Sequence, residues 1–261
     1  VYGADGQTVG TLLSRSYQNG PALIGAIFGT GTNGAYIDRT RSIQKLGEDS
    51  IKEAEAGGDT AGKYMVVNTE WGAMDNQVSC WTCCNEGGKH ADGQRTVLPV
   101  SIFDNKLDRE SINPRKQAFE KLVSGMCKLS CVRVLDELTS DLGEITRNIL
   151  LHFIDSSLLF GGYSSDILNT HYGYDAAFVS AIEGAKSPEE VKKIITKELH
   201  MDASRITPTC IEIVQWACRA VAKRAAQLAA CAVAAVVVYT NNHEAPEGEE
   251  DKGIDVGLDG S

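Results

Sequence analysis

The chain has 261 residues, enough for one large domain or two small ones with an ample core. Its 25 basic and 35 acidic residues leave a net charge of −10 with no stripe of Lys and Arg, which excludes a nucleic-acid backbone as the main ligand. Val1 opens the chain without a basic end or an apolar run, so no signal peptide is expected; the missing initiator Met leads to the expectation of a partial chain.

The first motif is GADGQTVGTL, residues 3–12, and its ADGQ string returns at 91–94. Residues 23–28 (LIGAIF) form an apolar run that predicts a buried strand. The turn of residues 29–33, GTGTN, follows at once and leads into a second strand through Tyr36 and Ile37. Two glycines leave backbone N–H groups free to face an anion, and the Thr30 and Thr32 hydroxyls are further donors. An ordinary β-hairpin would read the same way, so the turn alone leaves both readings open. Residues 64–67 predict another short strand, ending in Glu70 and Trp71. An acid beside an aromatic at a strand end suits a polyhydroxylated ligand, and equally suits a carboxylate facing water.

SINPRKQAFEKLVSGM predicts a helix with Asn113 as N-cap, Pro114 in the first turn and Phe119, Leu122 and Val123 on the apolar face. Glu120 stands beside that face. LGEITRNILLHFIDSSLLF predicts an amphipathic helix burying Ile145, Ile149, Leu150, Phe153 and Leu158, with His152 as a hydrogen-bonded core or boundary residue. Ser187 caps a helix with acids in its first turn and bases toward its end. Residues 207–239 predict a long helical stretch with room for one break, anchored by Trp216. Its apolar part, 225–239, is shorter than the roughly 20 residues of a bilayer span and is expected to be buried, so no membrane insertion is expected. GIDVGLDGS adds a last strand running into Asp259, Gly260 and Ser261. Strands ending in Gly/Thr/Ser turns and followed by helices define an α/β fold with ligand groups at strand ends.

Of eight cysteines, Cys80, Cys83 and Cys84, with His90, Cys127 and Cys131, have partly zinc-like spacing but lack a second tight pair. Cys210, Cys218 and Cys231 lie among Ala, Val and Ile and are expected to be buried. Nothing demands an oxidising compartment, so a cytoplasmic location is expected.

TVGTLL, IGAIFGTGTNGAYID, VNTEWGAMDN, NPRKQAFEKLVSGM, LGEITRNILL and GIDVGLDGS, in this order, resemble the hexokinase family, particularly its fungal members. The resemblance implies the ribonuclease-H-like, actin-type ATPase fold, with residues 8–261 forming the large C-terminal domain and 1–7 a leader outside the family pattern. It implies ATP-dependent phosphorylation of a hexose, glucose to glucose 6-phosphate, with MgATP as the second substrate. Asn33, Glu70 and Glu120 match the family's sugar-hydroxyl ligands. Gly29, Thr30, Gly31 and Thr32 match its second phosphate-binding loop, Thr170 falls near a nucleotide contact, and Gly260 and Ser261 open the adenosine-site turn. The family writes Asn-Asp-Thr-x-Gly-Thr where this chain has Gly6-Gln7-Thr8-Val9-Gly10-Thr11, so Gln7 stands in place of the catalytic Asp base. Gln has no useful basicity, and the substitution is expected to cost about two to four orders of magnitude in rate. The resemblance also implies that a catalytically inactive, sugar-sensing relative is the alternative, and that the family's small domain is absent.

Residues 78–94 and 127–141 interrupt the family pattern. Their first codons can spell intron openings, and ADGQ can spell an intron end, so residues 1–7, 78–94 and 127–141 are expected to be translated intron sequence. Five of the eight cysteines fall in the two internal inserts, which weakens the zinc reading.

Overall fold

The computed structural model describes residues 4–20, 22–43, 45–47, 49, 51–52, 63–76, 97–125, 141–173, 176–242 and 253–260. Cys80, Cys83, Cys84, His90, Cys127, Cys131, Ser261 and both internal inserts except Asp141 lie outside the described residues, so the zinc reading falls there too. The chain forms two compact units: one of Val1–Phe28, Thr32–Trp71 and Ala229–Gly260, the other of Gly29–Gly31, Gly72–Leu228 and Ser261.

The first unit is built on a four-stranded sheet in the order β3-β2-β1-β4. Strand β1 (Ile24–Phe28) pairs antiparallel with β2 (Thr32–Arg39), and β2 pairs antiparallel with β3 (Tyr64–Asn68). Strand β4 (Val256–Gly260) returns parallel to β1, Ile24 opposite Val256 and Phe28 opposite Gly260. The hairpin expected at 23–37 is present because an apolar run, a glycine turn and a second β-prone run occur without interruption. The turn is shorter than expected, since Thr32 and Asn33 already belong to β2. Strand β3 is an edge strand, with Tyr64, Met65 and Val66 exposed.

Helix α1 (Ala4–Asn19) packs on this sheet. Leu12 is buried against Gly25, where an added Cβ would lie 2.6 Å from the Leu12 backbone nitrogen. A glycine in β1 is therefore the condition for the helix to approach so closely. The helix runs through residues 4–7 without a break, so the leader expected at 1–7 joins the family-like TVGTLL in one element. Arg15 on α1 reaches Asp255, just before β4, at 2.8 Å.

The second unit is helical: α2 (Ile102–Glu110), α3 (Ala118–Val123), α4 (Asp141–Asp155), α5 (Asp166–Asn169), α6 (Ala176–Gly184) and α7 (Pro188–Glu198). Helix α8 (Pro208–Tyr239) gives this unit its residues 208–228 and the first unit its residues 229–239. The core joins Leu107, Ile145, Leu150, Phe160, Leu168, Ile182, Ile195, Val214 and Cys218. The Ser187 cap is present: its hydroxyl accepts the Glu190 N–H at 3.2 Å. Asp104 on α2 holds Arg224 on α8 through two bonds of 2.7 Å.

Several expectations need correction. The helix expected from Pro114 begins only at Ala118; Arg115 and Gln117 are left-handed (φ 63° and 52°), and the chain before α3 is a looped turn. Leu158 follows the end of α4 and is exposed, because the chain turns at left-handed Ser157 and buries Leu159 and Phe160 instead. His152 faces out of α4, and Trp216 is 58% exposed rather than an anchor. Helix α8 has no break over its 32 residues. Its end is not the buried helix expected: Ala225, Ala232 and Val236 form a narrow buried stripe, while Cys231, Val238 and Tyr239 are exposed among the described residues. By length and composition alone, this helix is long and apolar enough to cross a membrane.

Candidate functional site

In the first unit, the ends of β2 and β3 bring Asn33 and Glu70 together. Asn33 is 3% exposed, and its side-chain oxygen accepts the Gly34 N–H at 2.8 Å and the Thr69 hydroxyl at 3.2 Å. Its amide nitrogen donates to Asn68 Oδ1 at 2.7 Å and to Glu70 Oε1 at 3.2 Å. Asn68 completes the triangle by donating to Glu70 Oε1 at 2.6 Å. Glu70 is exposed and left-handed at its backbone (φ 50°), the sort of strained position that persists where surroundings over-determine it. One carboxylate oxygen thus carries both amide bonds, and the chemistry offered is that of an oriented hydroxyl acceptor. Asn68 was missed in the sequence; its place two residues before Glu70 at the end of a strand was the available signal.

Trp71 locks this cluster. Its ring stacks on Phe28 at 5.6 Å between centroids and lies against Gly34, where a Cβ would run into the indole. Its Nε1 donates to the Thr32 hydroxyl at 2.9 Å, and that hydroxyl donates to the Ile27 carbonyl at 2.9 Å. The expectation that Thr32 offers its hydroxyl to phosphate is corrected accordingly: its proton is committed to the strand.

In the second unit, the Gly29 N–H donates to the Gly31 carbonyl at 2.9 Å, so this amide closes the turn instead of facing an anion. Thr30 is exposed at the tip. An added Cβ at Gly31 would sit 2.7 Å from Glu120 Oε2, so the bare glycine makes room for that carboxylate. Glu120 is half-buried on α3, and Gln117 Nε2 donates to its Oε1 at 3.4 Å. Gln117, three residues earlier, was not singled out in the sequence. A cleft of about 670 Å³ is lined by Ala73, Asn76, Asn113, Arg115, Lys116 and Gln117.

The remaining expected site residues lie on α1, after α5 and at the end of β4. Gln7 is exposed on α1, and its backbone carbonyl accepts the Thr11 hydroxyl at 3.0 Å. Thr170 follows α5 and spends its proton on the Asp166 carbonyl at 2.7 Å. Gly260 ends β4 opposite Phe28, while Ser261 lies outside the described residues.

Glu110, Glu144 and His171 bring ligand atoms within 4.8 Å of one another. Glu144 is 1% exposed and already accepts from Arg147 Nε (2.7 Å) and Nη2 (2.5 Å), Asn148 Nδ2 (3.2 Å) and the Tyr172 N–H (2.9 Å). Those four bonds use the lone-pair directions of the carboxylate, so the cluster is an ion-pair hub and not a metal centre.

Asp141 opens α4. Burial, opposed by Lys121 and reinforced by Glu120 and Glu144, pushes its carboxyl up to about 7. A carboxyl raised in the fold binds its proton more tightly there than in the unfolded chain. Its stabilising contribution is complete below the unfolded value of 3.8 and is lost as pH climbs through about 7. Urea unfolding of Asp141→Asn against the parent chain should therefore show a flatter stability profile between these two limits, with the gain largest at and above neutral pH.

A mixed four-stranded sheet with a helix packed on it defines an α/β protein. The hexokinase family profile matches residues 23–86 and 78–261, and the chain belongs to the hexokinase family. Similar proteins include a glucokinase of Aspergillus niger, 35% identical over 97% of this chain and 46% of that one, and a hexokinase of Schistosoma mansoni, 30% identical over 97% and 45%. Human hexokinase-3 is 33% identical over 97% of the chain and 22% of its own length. Among solved structures, a Schistosoma mansoni hexokinase complexed with glucose aligns with a TM-score of 0.69 and 26% identity, covering 97% of this chain and 46% of that one. These neighbours carry the actin-type ATPase fold, as the resemblance implied. The chain spans about half the length, or less, of the curated relatives it matches.

Proposed function

We propose that this chain contributes the large domain of a cytoplasmic hexose kinase, which moves the terminal phosphoryl group of MgATP to a hydroxyl of glucose. The observation that carries this reading is the Asn33–Asn68–Glu70 triangle, an acceptor carboxylate held by two amides. A buried sugar hydroxyl tolerates no missing partner, so fixed acceptors select a polyol over an apolar ligand. Glu70, Asn33 and Glu120 are the assigned hydroxyl ligands. Thr30, Gly31, Thr170, Gly260 and Ser261 are assigned to the nucleotide, while the Gly29 N–H and the Thr32 hydroxyl proton are spent within the turn and the strand. Phosphoryl transfer is mainly positioning and charge neutralisation, and the Mg²⁺ arrives with the ATP as part of the substrate.

A second reading, a sugar-binding relative without turnover, is favoured by Gln7, whose neutral amide cannot take the proton of the attacking hydroxyl. The family match is split within 78–86, and sequencing of the spliced transcript decides between a translated intron and an added loop at 78–94. Calorimetric titration of the purified chain with glucose, followed by a coupled assay for ADP, tests the function. Saturable glucose binding with little or no turnover is the expected result; a folded chain that binds no hexose overturns the proposal, and rapid turnover overturns the second reading.

A further inference from the structure

The segment that carries Glu120 is weakly built in itself. Helix α3 has six residues, far below the length at which a helix persists alone, and Gln117 at its N-cap position makes no side-chain cap. The preceding loop holds two left-handed residues that are not glycine, Arg115 and Gln117. Such a loop keeps one shape only where other contacts over-determine it.

Those contacts converge on a buried ion pair. Lys121, 5% exposed, directs its ammonium at Asp108 Oδ1 (2.8 Å), Ser111 Oγ (2.9 Å) and the Asn113 carbonyl (2.8 Å). All three of its protons are used. Asp108, 7% exposed on α2, accepts the Arg115 N–H on both oxygens at 3.1 Å, so the left-handed residue hangs directly from the anion. Ser111 Oγ also donates to the Asp108 carbonyl at 2.8 Å. At the loop's far end, Asn76 Oδ1 accepts the Ala118 N–H at 2.8 Å and takes over the missing helix cap. A buried ion pair brings little stability over an apolar pair of equal volume, and its value lies in specifying one conformation.

We infer that Lys121 and Asp108 are positioning residues for hexose binding: their buried ion pair sets the 111–117 loop, and through it the orientation of Gln117 and Glu120. The inference rests on the hexose reading above and adds residues that touch no sugar. Lys121 follows Glu120 in sequence, so the helix that presents the ligand carboxylate also carries its own clamp.

Three variants test it. Lys121→Met strands the Asp108 charge; the paired D108N/K121M removes both charges and leaves an amide oxygen for the Arg115 N–H. Lys121→Arg keeps the charge and the donors. Hydrogen exchange of the 111–118 amides is measured alongside glucose and MgATP titrations of the purified chain. The paired variant should stay folded, exchange faster at Arg115 and Ala118, and bind glucose about tenfold or more weakly, since small misplacements of a ligand group are costly. MgATP affinity should stay unchanged, and Lys121→Arg should restore most of the glucose affinity. Unaltered exchange in the paired variant, or glucose and MgATP affinities falling together, overturns the inference. If the parent chain binds no glucose, the hexose reading fails and the hexose role of Lys121 with it, while the exchange data still decide whether the ion pair anchors the loop.

Discussion

Replacing Arg147 by methionine should destabilise the second unit by about 3–5 kcal/mol, because it leaves a buried carboxylate without its cation. Arg147 is 2% exposed and Glu144 1%, and the pair shares two hydrogen bonds while Arg147 Nη1 also donates to the Leu168 carbonyl at 2.6 Å. Methionine fills similar space, so loss of packing is a minor part of the effect. Pairing the change with Glu144→Gln removes the stranded charge and should recover most of the loss. Midpoints of urea unfolding measure both variants. The consequence is local as well, because Glu144 also accepts the Tyr172 N–H and so ties down the segment that includes Thr170. An Arg147→Met chain as stable as the parent would show that solvent reaches this pair.

Glutamine in place of Glu120 or Glu70 should weaken glucose binding by about tenfold to a hundredfold each, since a hydrogen bond to a charged group contributes roughly 1.5–3 kcal/mol. Glutamine is the informative replacement. At position 70 its carbonyl oxygen can still accept from Asn33 and Asn68, so the triangle survives and only the charged acceptor is lost. Asn33→Ala is less clean, because Asn33 also satisfies the Gly34 N–H and the Thr69 hydroxyl. Calorimetry with glucose gives the affinities, and thermal unfolding checks that each variant is folded. Parent-like affinity in Glu70→Gln would remove Glu70 from the sugar ligands.

The sequence made the parts with strong local signals readable. The 23–37 hairpin follows from an apolar run, two glycines and a β-prone continuation, and α7 from a serine cap with ordered charges. The residues before α3 defeated the same logic. Asn113 and Pro114 are good helix openers, but Asp108 and Lys121 hold Arg115 in a left-handed turn that no local propensity encodes. Periodicity alone also put Leu158 inside and could not see α4 ending at Asp155. For the site, the family resemblance singled out Asn33, Glu70 and Glu120, and the fold brings the first two into one hydrogen-bonded cluster. Asn68 and Gln117 are polar residues of ordinary type, and only the fold shows them bonded to those carboxylates. The role of Thr32 was hidden for the complementary reason: its partner, Trp71, lies far along the chain.

Trp71 gives the protein a built-in optical reporter. Its indole is sealed at 7% exposure and follows Glu70 directly, whereas Trp216 is 58% exposed on α8. In a Trp81→Phe chain, which removes the third tryptophan, collisional quenching by acrylamide should silence the emission of Trp216 well before that of Trp71. The residual, blue-shifted signal would then follow events at the Glu70 carboxylate without any attached dye.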